Sequence, residues 1–160
     1  MSGSHRWPPA LAWFSVAVAG ILGTELRYGI GLLFPESSTG FPLTTLLINI
    51  CGSFALGWLT GYWAKHPVRW WLRAALGPGL LGSFTTFSAV VYAVEQLARH
   101  ALAGLWIPYL VITLLAGLFA ALLGLRLGEL RGQRGLRGQR GSQQAAEQVD
   151  NRVRQPGSQG

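Results

Sequence analysis

The stretch GPGLLGSFTTFS, residues 77–88, decides how this chain folds. It lies inside an apolar run from Trp70 to Leu97, yet Gly77-Pro78-Gly79 and then Gly82 interrupt that run. Four hydroxyl residues, Ser83, Thr85, Thr86 and Ser88, follow within six positions, with Phe84 and Phe87 among them. Proline removes a helix donor and glycine weakens a helix, so a helical break is predicted here. What the break means depends on its surroundings.

Those surroundings are apolar almost throughout. Half of the 160 residues are hydrophobic, seven are tryptophan and only 12% are charged. Such a composition predicts a membrane protein. A bilayer-crossing helix needs roughly 20 apolar residues at about 1.5 Å rise each. Four windows qualify: Leu11 to Tyr28, Leu43 to Trp63, Trp70 to Leu97 and Leu102 to Leu127. The predicted fold class is therefore an all-α membrane protein of four transmembrane helices, the third broken. Residues 1–9 form an N-terminal segment, read as retained rather than cleaved, and residues 10–127 the membrane domain. Residues 128–160 are rich in Gly, Gln and Arg without a sustained apolar face, a composition that predicts a disordered basic tail. Cys51 stands alone mid-span, which excludes disulfides and cysteine-rich metal sites within the chain.

With four spans, both termini share a side with the connection between the second and third. That side collects Arg6, Lys65, Arg69, Arg73, Arg126, Arg131, Arg134, Arg137 and Arg140; the other holds only Arg27 and Arg99, offset by Glu36 and Glu95. Basic residues near span ends are retained in the cytoplasm, so both termini are predicted inside, in the cell inner (plasma) membrane. The arginine repeat is read as an orientation anchor on anionic lipid heads. Nucleic-acid binding is not expected, because no aromatic interleaving or folded RNA module accompanies the arginines.

Inside the spans, Thr45, Asn49 and Ser53 recur every four residues and share a helix face. An asparagine in hydrocarbon must find partners, either as glue between helices or as a ligand for an ion. Tyr109 and Thr113 share a face of the fourth span in the same way. Small residues at Ser15, Ala19 and Gly23, at Gly57 and Gly61, and at Ala116, Ala120, Gly124 and Gly128 predict close backbone packing. A half-helix ending at the break presents carbonyl oxygens to a cation, and one beginning there presents amides and hydroxyls to an anion. The hydroxyls could equally bond back to the preceding turn. The positive edge of Phe87 suits an anion, although core packing is the usual role of a phenylalanine.

Three segments then resemble the Fluc (CrcB) family of small fluoride channels: GTELRYGIG at 23–31, TTLLINICGSFALGWL at 44–59 and GSFTTFS at 82–88. The resemblance spans roughly residues 15–125. It implies an antiparallel dual-topology dimer with two fluoride pores and a structural sodium ion at the two-fold axis. It further implies that Gly82 and Thr85 offer backbone carbonyls to that sodium, that Asn49, Thr86, Phe87, Ser88, Tyr109 and Thr113 line the anion path, and that Arg27 stands near a vestibule. Fluoride is small and strongly hydrated, so a run of closely spaced donors must stand in for its water.

Two departures from the family pattern matter. Ala89 and Val90 stand where the family carries Thr and Phe, and the loop charges are too one-sided for a chain that inserts both ways. The expected partner is an oppositely oriented homologue. The competing function is a proton-coupled four-span small multidrug exporter with Glu25 as its relay; a non-transporting scaffold is a third reading. An enzyme is not expected, because His5, His66 and His100 pair with no nucleophile or metal-ligand spacing.

Overall fold

The computed structural model describes residues 10–36, 40–99 and 103–154. The predicted N-terminal segment 1–9 and the end of the tail, 155–160, lie outside the described residues. Helix α1 covers Ala10–Leu33 and α2 covers Leu43–Trp63. The third span begins as α3, Trp70–Ala74, widens into a π-helix over Ala75–Leu81, tightens again in α4, Gly82–Phe84, and resumes as α5, Phe87–Arg99. A short 3₁₀ turn, Ala103–Leu105, leads into α6, Trp106–Arg154. Four helical stretches are long and apolar enough to cross a membrane: Ala10–Leu33, Leu43–Trp63, Trp70–Arg99 and Trp106–Gln133. The chain is an all-helical, multi-pass membrane protein, and no strand occurs among the described residues.

Glycine placement explains which helices meet. The most extensive contact is between α2 and α6. There a Cβ on Gly57 would collide with the carbonyl of Ala121, and one on Gly61 with that of Leu125. Reciprocally, Gly124 faces the carbonyl of Phe54 and Gly128 that of Trp58. Each helix thus presses its backbone against the glycine row of the other, as the four-residue spacing predicts. A second such seam joins α1 to the π-helix, where a Cβ on Gly79 would lie 3.1 Å from the Val16 carbonyl and Gly23 abuts the Leu80 carbonyl. On the other side α5 leans on α6 through a cluster of Leu46, Val90, Ala93, Leu97 and Tyr109. Outward faces such as Trp13, Phe14, Leu115 and Phe119 are exposed, as expected where hydrocarbon is the solvent.

Two expectations are corrected. The break was placed at Gly77-Pro78-Gly79 and Gly82, but the main chain stays helical there. Pro78 lacks the N–H that would bond Ala74, and the wider π-turn absorbs that loss without opening the helix. The chain leaves helical geometry three residues after Gly82, at Thr85, which is extended with φ −78° and ψ 150°. The second correction concerns the tail, expected to lack a fold from residue 128. Helix α6 continues through it to Arg154. The costly first turn is already formed in the membrane, and each further Leu, Arg, Gln, Glu or Ala is a good helix former, which offsets the glycines.

Candidate functional site

The break at Thr85 and Thr86 is held open from outside the third span. In a continuous α-helix the Thr86 N–H would bond the Gly82 carbonyl. Here it donates to Asn49 Oδ1 at 2.9 Å, while Asn49 Nδ2 donates to the Thr86 carbonyl at 3.1 Å. One side-chain amide on α2 therefore replaces the helical acceptor of the Thr86 N–H and adds a second donor to the Thr86 carbonyl, which as the residue before α5 already accepts that helix's first bond. The Ala89 N–H, whose helical acceptor would be the Thr85 carbonyl, donates instead to Thr86 Oγ1 at 3.2 Å. Thr86 is thus the N-cap of α5, a role that threonine fills well. The Thr85 N–H and hydroxyl both fold back onto the Leu81 carbonyl, at 3.0 and 2.9 Å.

These diversions single out two oxygens. The donors that a continuous helix would give to the carbonyls of Gly82 and Thr85 are those taken by Asn49 and by the Thr86 hydroxyl. Freed carbonyls at a half-helix end are the hard oxygen ligands that a small cation takes. The two oxygens are of the kind that sodium, the ion the sequence resemblance implies, would take, as part of a larger set. Among the described residues no group of three His, Cys, Asp or Glu is placed to hold a metal, and a carbonyl site needs none.

Beside the break a cavity of about 380 Å³ is lined by Asn49, Gly82, Thr85, Thr86, Phe87 and Thr113. Six of the nine candidate residues converge there, from α2, the third span and α6. Asn49 keeps one amide hydrogen uncommitted, since its nitrogen carries two. The Thr113 hydroxyl is buried, with the Tyr109 hydroxyl one turn away as a neighbouring polar group. The remaining three candidates are placed differently. Ser88 is exposed, its hydroxyl 2.8 Å from that of Thr86. Tyr109 is wholly buried in the α5–α6 cluster, its ring perpendicular to that of Phe41 and its hydroxyl beside that of Thr113. Arg27 lines a second cavity of about 310 Å³, which Thr86 also lines. Thr86 therefore stands between the two spaces.

The structure adds residues that the sequence reading left out of the site. Ser53 lines the first cavity, one turn beyond Asn49 on the face already marked as polar. Glu36 and Thr45 line the second; an acidic residue in the short connection between two spans was the available signal. Val90, 2% exposed, lines the first cavity while packing in the cluster with Tyr109.

Fold and site together define a small four-span membrane protein whose third helix opens midway beside two cavities into which a few polar groups project, a class built to carry a small ion or polar solute. Residues 14–125 match the family described as CrcB-like protein, Camphor Resistance (CrcB), and the chain belongs to that family. It is 38% identical to the "Fluoride-specific ion channel FluC 2" of Geobacillus kaustophilus over 71% of this chain and 90% of the relative. Identity is 41% to the FluC 1 protein of the same description in Bacillus anthracis, over 74% and 88% of the two chains. The FluC protein of Thermus thermophilus is 40% identical, over 71% and 91%.

Proposed function

We propose that this chain is a subunit of a passive fluoride channel, one that lets fluoride which entered as the weak acid leave the cytoplasm as the anion and so limits its toxicity. The observation that carries this reading is the pair of hydrogen bonds from Asn49 to Thr86, because they create a non-helical, polar point inside an apolar span. Around it stand donors suited to a small anion: the second Asn49 N–H, the hydroxyls of Thr86, Ser88 and Thr113, and the edge of Phe87. The Tyr109 hydroxyl, one turn from Thr113, is reached as the anion passes Thr113. Their service is to replace water at each step without a charge that would trap the ion. No bond is made or broken, so the protein acts as a channel and not as an enzyme.

A second subunit belongs to this reading. Phe87 and Gly82 are exposed on the single chain, and two freed carbonyls are too few for a hard cation, which takes six or so oxygens. An oppositely oriented homologue would supply the matching carbonyls, and a bound sodium would contribute fixed positive charge at the break. The nine-to-two bias of basic residues favours such a heterodimer over a homodimer, with both termini of this chain cytoplasmic in the inner membrane and the Arg126 to Arg140 stretch on anionic lipid heads. The four-span exporter gains no support, since Glu25 lies on an exposed face of α1, outside both cavities.

Fluoride efflux from liposomes tests the proposal. Efflux is expected when the chain is reconstituted with an oppositely oriented homologue, and Glu25→Gln is expected to leave it unchanged. Efflux from the chain alone, with its C terminus labelled on both membrane faces, would replace the heterodimer by a homodimer. No efflux in either preparation would remove the channel reading.

A further inference from the structure

Two arginines lie on the side opposite the termini, and they are treated differently. Arg99 is paired with Glu95 at 2.6 Å, one helical turn away, and this is the one ion pair among the described residues. Arg27 shares a cavity with a carboxylate, Glu36, and yet makes no ion pair with it. Its Nε is buried and without a hydrogen-bond partner. A buried guanidinium nitrogen left unmatched beside an available carboxylate needs a reason.

The reason is at the start of α2. Pro42 precedes that helix and offers no side-chain cap. Glu36 supplies one from the preceding connection, its Oε1 accepting the Thr45 N–H at 2.6 Å and its Oε2 accepting the Thr45 hydroxyl at 3.1 Å. The neighbouring Thr44 hydroxyl donates to the Phe34 carbonyl at 2.9 Å, so the same connection is tied to α2 twice. A carboxylate at a helix N-terminus gains from the unsatisfied amides and the helix dipole together. Both Glu36 oxygens are thereby drawn to the α2 side of the cavity.

We infer that Thr45 and Glu36 form a latch whose effect is to keep Arg27 unpaired, so that Arg27 attracts anions into the cavity that leads to Thr86. Thr45 is a positioning residue in this scheme: it acts by holding a competing carboxylate away from the cation that draws the anion. The inference rests on the channel reading above and adds to it a residue that sets how readily anions enter. Mostly apolar walls surround the cavity, among them Leu32, Phe34 and Ile48, and such walls strengthen the attraction of one uncompensated charge.

The test is fluoride flux as a function of fluoride concentration at low ionic strength, in the preparation that conducts. Thr45→Val keeps the main-chain N–H bond to Oε1 but removes the hydroxyl bond to Oε2, which frees that oxygen to turn towards Arg27, and is expected to raise the half-saturating concentration roughly threefold, with the maximal flux changed far less. Added salt, which screens the pair, should shrink the difference. Glu36→Gln introduced beside Thr45→Val restores the original concentration dependence, because the competing charge is gone. In an Arg27→Gln background Thr45→Val has no further effect. Glu36→Asp, one methylene shorter and unable to reach the Thr45 N–H, reproduces the rise even if Thr45→Val fails to fold. A plain capping role predicts the opposite pattern, a salt-independent defect that Glu36→Gln does not relieve, and that result would overturn the latch. Unaltered concentration dependence in all variants of a conducting channel sinks the latch alone; absence of any fluoride flux in the unaltered channel sinks the channel reading with it.

Discussion

Asn49→Leu is expected to abolish fluoride efflux while leaving four spans in the membrane. Leucine is close to asparagine in volume but can make neither bond to Thr86. Two outcomes compete for the backbone that Asn49 releases. The Thr86 N–H can remain unpaired, at about 1–3 kcal/mol, or the third span can close up, returning that N–H to the Gly82 carbonyl. The second relieves an unpaired group in hydrocarbon and is expected to win. It also takes the Gly82 oxygen out of service and removes the amide donor from the cavity. Loss of about 2.7 kcal/mol of ion stabilisation corresponds to about a hundredfold in rate, which sets the expected fall in efflux. The stability change is smaller, about 1–2 kcal/mol, because hydrogen bonds between membrane helices contribute less than their isolated strength. Asn49→Asp separates the two roles: it keeps an acceptor for the Thr86 N–H but loses the donor to the Thr86 carbonyl, and its negative charge repels the anion. Full efflux through Asn49→Leu, measured in the same liposomes, is incompatible with this account of the break.

The parts of this structure that were legible in the sequence share a local cause. Span limits follow from apolar length, so the predicted second span, Leu43 to Trp63, coincides with α2 and the others differ by a few residues. The glycine seams follow from four-residue spacing. Asn49 and the hydroxyls near Thr86 were marked by their rarity in apolar surroundings. The position of the break was not legible in this way. Gly77, Pro78 and Gly79 carry the strongest local signals against helix, yet a π-turn accommodates them. What opens the chain is a contact between Asn49 and Thr86, 37 residues apart, and no local propensity records that. Arg27 and Glu36 illustrate the same limit. Opposite charges on the same side suggested mutual offset, while the structure gives the carboxylate to a helix N-terminus nine residues further along.

Gly124→Val is expected to prevent assembly of the bundle altogether, and the reason lies in what the added atoms would meet. A Cβ at Gly124 falls on the carbonyl oxygen of Phe54 and within 2.9 Å of the Trp58 nitrogen. Both are main-chain atoms of α2, so no side-chain rotation makes room; the whole of α2 would have to move away from α6. Overpacking of a well-filled interior is destabilising by about 1–3 kcal/mol when side chains can adjust, and a backbone obstacle places Gly124→Val at or beyond the upper end. The same displacement separates Asn49 and Ser53 on α2 from Thr113 on α6, so the cavity loses its shape before the seam is fully parted. Membrane helices have little hydrophobic drive to re-associate once their close packing is lost, because lipid tails solvate them equally well. Gly104→Ala provides the comparison, since a Cβ there meets nothing within 4 Å. Size-exclusion chromatography and thermal unfolding in detergent should show Gly104→Ala unchanged and Gly124→Val aggregated or absent. Gly61→Val, which meets the Leu125 carbonyl from the other side of the seam, should match Gly124→Val. If Gly124→Val instead ran as the unaltered protein does and melted at the same temperature, the α2–α6 backbone contact could not be what holds these helices together.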